Sequence, residues 1–231
     1  MRELPRSWSE SVARDGRDTT VLVVRLGAMG DILRTLPAVR QVRAALPLAR
    51  LHWVLDEPWS PLLAGHPDLD GLVPLPRSEW RRQARSWAAW PALVRSILAF
   101  RRRLRALRPD ATVDFHGNLR SGVVSWMSGA KLRIGYAGHQ QREASALFLT
   151  HRLPAGERRL SRVERHLALV RALGIPDADL PRRELPLARA GRGVAIPPAR
   201  FAVISPGASR RQSYKRPPPA LLAACCRRLA E

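Results

Sequence analysis

Cysteine is almost absent from these 231 residues, and the only two, Cys225 and Cys226, are neighbours. Adjacent cysteines rarely bond to each other and there is no third, so a disulfide framework is excluded and a reducing compartment fits best. Long apolar runs are missing too. No stretch approaches the roughly eighteen apolar residues that a membrane-spanning helix needs. The N-terminal segment MRELPRSWSESVARDGRD has no apolar core and does not read as a signal peptide. Lysine is scarce, with Lys131 and Lys215 the only two, and nearly all the positive charge is arginine. A single arginine therefore carries little weight here, and a lysine carries more.

Acidic residues are also few: 19 against 40 basic, which leaves a formal net charge of +21. Such a field attracts polyanions, whether nucleic acid, phosphorylated lipid headgroups or acidic sugars, without choosing among them. Against nucleic acid, the chain has no helix-turn-helix, RNA-recognition or zinc signature. Hydrophobic residues make up 45% of the chain, enough for a sizeable core, which excludes a wholly disordered protein.

Apolar patterning alternates between strand and helix. Thr20 to Leu26 reads as a buried strand, followed by a glycine turn and a helix with Leu36, Val39, Val42 and Leu46 on one face. Leu51–Leu55, Gly71–Leu75, Ala111–Phe115 and Leu132–Gly135 read as further strands. Leu93 to Leu107 and Val163 to Leu173 carry helical spacing. Strands alternating with helices predict a doubly wound parallel α/β sheet. Residues 1–18 read as a flexible arm, 19–174 as this first domain and 175–200 as a Pro-, Arg- and Gly-rich linker. Residues 201–231 hold one strand and one helix, a single βα unit that makes no sheet of its own.

Four segments could carry chemistry. Arg25-Leu-Gly27-Ala-Met-Gly30-Asp31 joins the first strand to the first helix, where open α/β sheets bind ligands. Asp31 suits a general base there and equally suits a helix N-cap. Asp114-Phe-His116-Gly-Asn118-Leu-Arg120 follows another strand; Asn118 suits a helix cap, and no second ligand is spaced to make His116 a metal site. Ser205 to Ser209 followed by Lys215 outlines a phosphate cradle at a helix start, or else a solvated basic turn. Between Arg77 and Arg108 the only acid is Glu79. Trp80, Trp87 and Trp90 lie among the arginines there, and Arg81, Arg82 and Arg85 suit an anionic ligand or a membrane interface.

Taken together, VLVVRLGAMGDILRTLPAVR, VDFHGNLRSGVVSWMSGAKLRIGY, EASALFLTHRLP, SRVERHLALVRALGI and FAVISPGASRRQSYKRPP resemble the family-nine glycosyltransferases, the heptosyltransferases of lipopolysaccharide core synthesis. The resemblance implies a GT-B-like architecture of two Rossmann-like domains, with the acceptor on the first and ADP-heptose on the second. It implies an inverting transfer to a Kdo-lipid A or heptosylated core acceptor, with no metal and no cofactor. The expected setting is the cytoplasmic face of the inner membrane, with no nucleic-acid partner. By position it makes Asp31 the catalytic base, Ser209 and Lys215 the donor-phosphate contacts, and Arg120 an acceptor-side cation, with Arg81, Arg82 and Arg85 alongside. Pro217 stands where the family usually has an aromatic residue, and the family's later donor motif has no counterpart in the chain. The resemblance therefore covers the acceptor domain and only the opening of the donor domain. The expectation is that these 231 residues alone transfer little sugar. The alternative left open by composition is a non-catalytic α/β protein that binds polyanions.

Overall fold

The computed structural model describes residues 4–14, 16–137, 144–153, 159–180, 207 and 216–230. The chain divides into two compact units, Met1–Ala188 and Arg189–Glu231. In the second unit the described element is a helix, α8, at Pro219–Ala230, which agrees with the helix read from the sequence. The strand expected at 201–205 lies outside the described residues.

The first unit is built on one six-stranded sheet. Its strands are β1 (Thr20–Val24), β2 (Arg50–Asp56), β3 (Gly71–Leu75), β4 (Ala111–Asp114), β5 (Leu132–Tyr136) and β6 (His151–Leu153). All neighbours pair in parallel, in the order β3-β2-β1-β4-β5-β6. Parallel strands buried on both faces need near-continuous apolar runs, and β1, Thr-Val-Leu-Val-Val, is one. Its alternation feeds two cores. Val21 and Val23 join Trp53, Val113 and Ile134 on one face, while Leu22 and Val24 join Val54, Phe100 and Leu104 on the other.

Helices cover both faces: α1 (Arg6–Ala13), α2 (Met29–Ala45), α3 (Ser60–Leu63), α4 (Arg77–Gln83), α5 (Trp90–Ala106), α6 (Leu119–Met127) and α7 (Arg162–Ala172). α2 and α7 pack on each other, with Val39, Val42, Leu169 and Val170 in the first core. Phe100 and Leu104 of α5 and Val124 and Met127 of α6 belong to the second. Capping boxes start α6 at Asn118–Ser121 and α7 at Ser161–Glu164. The Asn118 cap is the one read from the sequence.

The N-terminal segment differs from the flexible arm expected for residues 1–18. It forms α1, buries Trp8, and the indole N–H of Trp8 donates to the Leu173 carbonyl at 2.8 Å. One tryptophan among polar neighbours gives no helical period to read, because its partner lies 165 positions away.

The sheet positions the site by its strand order. From β1 the chain winds outward through β2 to β3, then crosses back to β4 on the opposite side of β1. The loops after β1 and β4 therefore diverge and leave a crevice at their carboxyl ends, where such sheets take ligands.

Candidate active site

Two loops meet at that crevice. The first leaves β1 through Gly27, where a Cβ atom would lie 3.0 Å from Trp59 Nε1, a tight approach that favours glycine. It then enters α2, whose N-cap is Ala28. Asp31 thus lies in the first turn of α2 rather than at its cap. There the positive end of the helix favours a carboxylate.

Asp31 is surrounded by arginine. Its Oδ2 lies 2.8 Å from Arg25, and its Oδ1 lies 3.5 Å from Arg34 and against Arg162 from the start of α7. Burial pushes the carboxyl up, but Arg25 and Arg162 outweigh burial and hold it below the ordinary aspartate value. Arg25 is itself buried, with its guanidinium donating to the Phe115 carbonyl at 2.6 Å. Asp31 is thereby held ionised at the mouth of the crevice, able to accept a proton.

The second loop follows β4 and is organised by Asp114, which is completely buried. Its Oδ1 accepts the backbone N–H groups of His116 and Gly117 at 2.8 and 3.1 Å, and its Oδ2 accepts the Ser121 hydroxyl at 2.7 Å. Gly117 turns the chain at φ 74°, a conformation side chains resist. Burial raises Asp114 to about 6 against the pull of those hydrogen bonds. His116 Nδ1 accepts the Leu26 N–H at 3.3 Å, which ties this loop to the first. Burial, with Arg25 and Arg120 nearby, lowers the His116 ring to about 3, so it is neutral near pH 7. That pairing gives His116 the structural role favoured from the sequence, although its ring also lines the crevice.

The crevice is a cleft of about 510 Å³. Arg120 lines it from the first turn of α6. A cation there opposes the helix dipole, and that is the placement expected when an anionic ligand sets the requirement. Arg77, Arg162 and Arg165 also line it, with Asp31 and Asp56 as the acids. Arg77 pairs with Asp56 at 2.7 Å, bridging the ends of α4 and β2. The back wall includes Tyr136 and His166, whose hydroxyl and Nδ1 share a short hydrogen bond. His166 stacks edge-on against Phe115, and burial with Arg25 and Arg165 lowers its ring to about 3.

The sequence-predicted residues separate in space. Asp31 and Arg120 line the same cleft. Arg81 lines a smaller depression beside it, with Trp59 and Arg77. Arg82 pairs with Glu79 on the exposed side of α4, and Arg85 is exposed just beyond that helix. Ser209 and Lys215 lie outside the described residues. Asp56, Tyr136, Arg162, Arg165 and His166 are not marked by the sequence analysis, and Arg77 enters it only as the start of the basic stretch. For Asp56, Arg77 and Tyr136 a signal was there, since each ends a strand or opens the helix after one. Among the described residues, no group of three or more His, Cys, Asp or Glu is placed to hold a metal ion.

Residues 97–230 match the family model described as glycosyltransferase family 9 (heptosyltransferase). Lipopolysaccharide heptosyltransferase 1 of Escherichia coli K12 is 28% identical over 132 residues, covering 57% of this chain and 40% of that protein. The lipopolysaccharide core heptosyltransferase OpsX of Haemophilus influenzae is 23% identical over 172 residues, covering 74% and 44%. The chain thus spans less than half the length of these curated relatives. Among solved structures, the E. coli heptosyltransferase WaaC with ADP-2-deoxy-2-fluoro heptose superposes with a TM-score of 0.61 at 25% identity, over 71% of this chain and 51% of that one.

Proposed function

Because the chain belongs to glycosyltransferase family 9, the heptosyltransferase family, we propose that its first unit binds the anionic sugar acceptor of an inverting, metal-independent heptosyl transfer. The observation that carries this reading is Asp31, a carboxylate at a strand-end cleft otherwise dominated by arginine. In this reading the Asp31 carboxylate takes the proton of an acceptor hydroxyl. The freed oxygen attacks the anomeric carbon of ADP-heptose, that carbon's bond to the diphosphate breaks, and ADP leaves with the electron pair. Cations and helix-start amides stabilise the charge that builds on the leaving group. Ser209 and Lys215 are proposed for that task on the resemblance alone. Arg77, Arg120, Arg162 and Arg165 hold the acidic acceptor, a Kdo-lipid A or a heptosylated core. The protein works as a peripheral component at the cytoplasmic face of the inner membrane. Among the described residues no helix is long and apolar enough to cross a membrane.

Arg120 gives the direct test. In an active enzyme that carries this unit joined to a complete donor-binding domain, Arg120→Ala is expected to raise the acceptor KM roughly tenfold and flatten its salt dependence, leaving the donor KM unchanged. Unchanged acceptor kinetics at low salt would return Arg120 to the solvated surface and remove the acceptor from this cleft.

The proposal also includes the expectation that residues 1–231 alone transfer little sugar and bind ADP weakly, in keeping with a chain that spans less than half its curated relatives. Calorimetry with ADP and a transfer assay on the purified chain check this. Micromolar ADP binding with turnover would overturn it.

A further inference from the structure

The largest exposed apolar side chains of the first unit include a pair that no enzyme chemistry uses. Trp87 is 83% exposed and Trp90 47%, and their rings stack at 5.2 Å with 13° between planes. From Trp90 the apolar surface continues down α5 through the exposed Val94 and Leu98, at a spacing of four residues. This stripe lies beside the face that buries Phe100 and Leu104, so it is additional to the core contact of the helix. Among the described residues nothing covers it. Arg81 on α4, Arg85 two residues before Trp87 and Arg95 on α5 are all exposed, and the one acid of α4, Glu79, is paired with Arg82.

Chain direction puts this patch near the cleft. α5 carries the chain from β3 back to β4, and the two strands run parallel in one sheet. The first turn of α5 therefore lies at the carboxyl end of the sheet, the end at which the cleft opens. α4 bridges the two features. Arg77 at its start pairs with Asp56 of the cleft, and Trp80 donates its indole N–H to Ser96 of α5 at 2.8 Å while packing edge-on against Phe100.

We propose that Trp87, Trp90, Val94 and Leu98, with Arg81, Arg85 and Arg95, form a docking surface for an anionic bilayer, seating the cleft at the membrane. Indole rings settle at the level of lipid headgroups, where their apolar faces leave water and their N–H groups do not. Arginines around them meet phosphate while their stems cover apolar surface. Charge decides against a second copy as the occupant, because two chains of net charge +21 repel. The inference deepens the proposed function and rests on it in one respect, that a lipid-borne acceptor explains why the docking surface and the cleft share one end of the sheet.

Flotation of the purified chain with phosphatidylethanolamine–phosphatidylglycerol vesicles, and with neutral phosphatidylcholine vesicles, tests the surface without any sugar acceptor. The chain is expected to float with the anionic vesicles and to bind the neutral ones much less. Trp87→Ala combined with Trp90→Ala is expected to lower anionic-vesicle partitioning roughly tenfold with the melting temperature little changed. Arg81→Gln with Arg85→Gln is expected to weaken it as well. Arg14→Gln with Arg17→Gln, an equal loss of exposed charge ahead of β1, serves as the charge control and is expected to have little effect. Undiminished flotation of the tryptophan variant overturns the proposal, as does an equal loss from both arginine pairs, which would reduce binding to net charge. Self-association in sedimentation that the tryptophan variant abolishes also overturns it, by making a second copy the occupant. Loss of sugar transfer in a separate assay leaves vesicle binding standing, so failure of the proposed function and failure of this surface are read independently.

Discussion

Asp31→Asn is expected to lower sugar transfer about a hundredfold or more, in an enzyme that joins this unit to a complete donor-binding domain, with donor affinity little changed. Asparagine keeps the size of the side chain and one carbonyl oxygen for Arg25, but it cannot take a proton. The loss is therefore expected in kcat rather than in binding. The pH profile provides a second measurement. Arg25 and Arg162 hold the Asp31 carboxyl below its ordinary value, so in the free enzyme it loses its proton below the usual aspartate range. As the proposed base, Asp31 must be ionised for activity. The acid limb of kcat/KM is accordingly expected below the ordinary aspartate pKa of about 3.9, unless the protein unfolds first, which circular dichroism over the same range will show. Near-normal turnover in a folded Asp31→Asn variant would reduce Asp31 to an organiser of its arginines.

Asp114 is expected to give the largest stability effect. Asp114→Ala removes the acceptor for the His116 and Gly117 N–H groups and for the Ser121 hydroxyl inside a buried loop. The cost is expected to be about 3 kcal/mol or more, since buried donors are left unpaired. Asp114→Asn keeps the oxygen that accepts the two backbone N–H groups, and it is expected to cost much less. The two variants also separate charge from hydrogen bonding. Burial raises the folded pKa of Asp114 to about 6, while an unfolded aspartate titrates near about 3.9. Between those values the folded chain holds a proton that the unfolded chain has released. This contribution to stability is fully present below the unfolded pKa and is lost as pH rises through about 6. Relative to Asp114→Asn, the natural chain is thus expected to lose on the order of 2 kcal/mol between pH ~4 and ~7. Parallel stability curves for the two from urea melts would show that Asp114 has no raised pKa.

Much of this molecule is legible one segment at a time. The run at Thr20–Val24 and the strand opening at Ala111 can each be read without reference to the rest, because a strand buried on both faces needs consecutive apolar residues whatever its neighbours are. The same reading places Asp31 and Arg120 beyond strand ends, and the Asn118 cap follows from a spacing of three residues. α1, the short β6 and α4 were not legible. Each is too short to repeat a period, and α1 is held by a contact 165 positions away.

The chemistry of the cleft depends on contacts of that long range. As a local motif, Asp31 could be a helix cap or a base. Its partnership with Arg25 can be guessed from six positions of sequence, whereas the arginine opposite, Arg162, lies 131 positions away and reaches it only because α7 packs on α2. Tyr136 and His166 become one wall through the β5 position in the sheet, which no spacing along the chain conveys. The run of arginines from Arg77 to Arg108 reads as one basic stretch, yet folding divides it between the cleft, the side depression and the exposed surface. The sequence by itself determined which residues are buried in each element and which residue types stand at the strand ends, because period and propensity act over a few residues. Only the tertiary structure decided which of those ends meet, since strand order and crossover direction are set by packing among segments far apart in the chain.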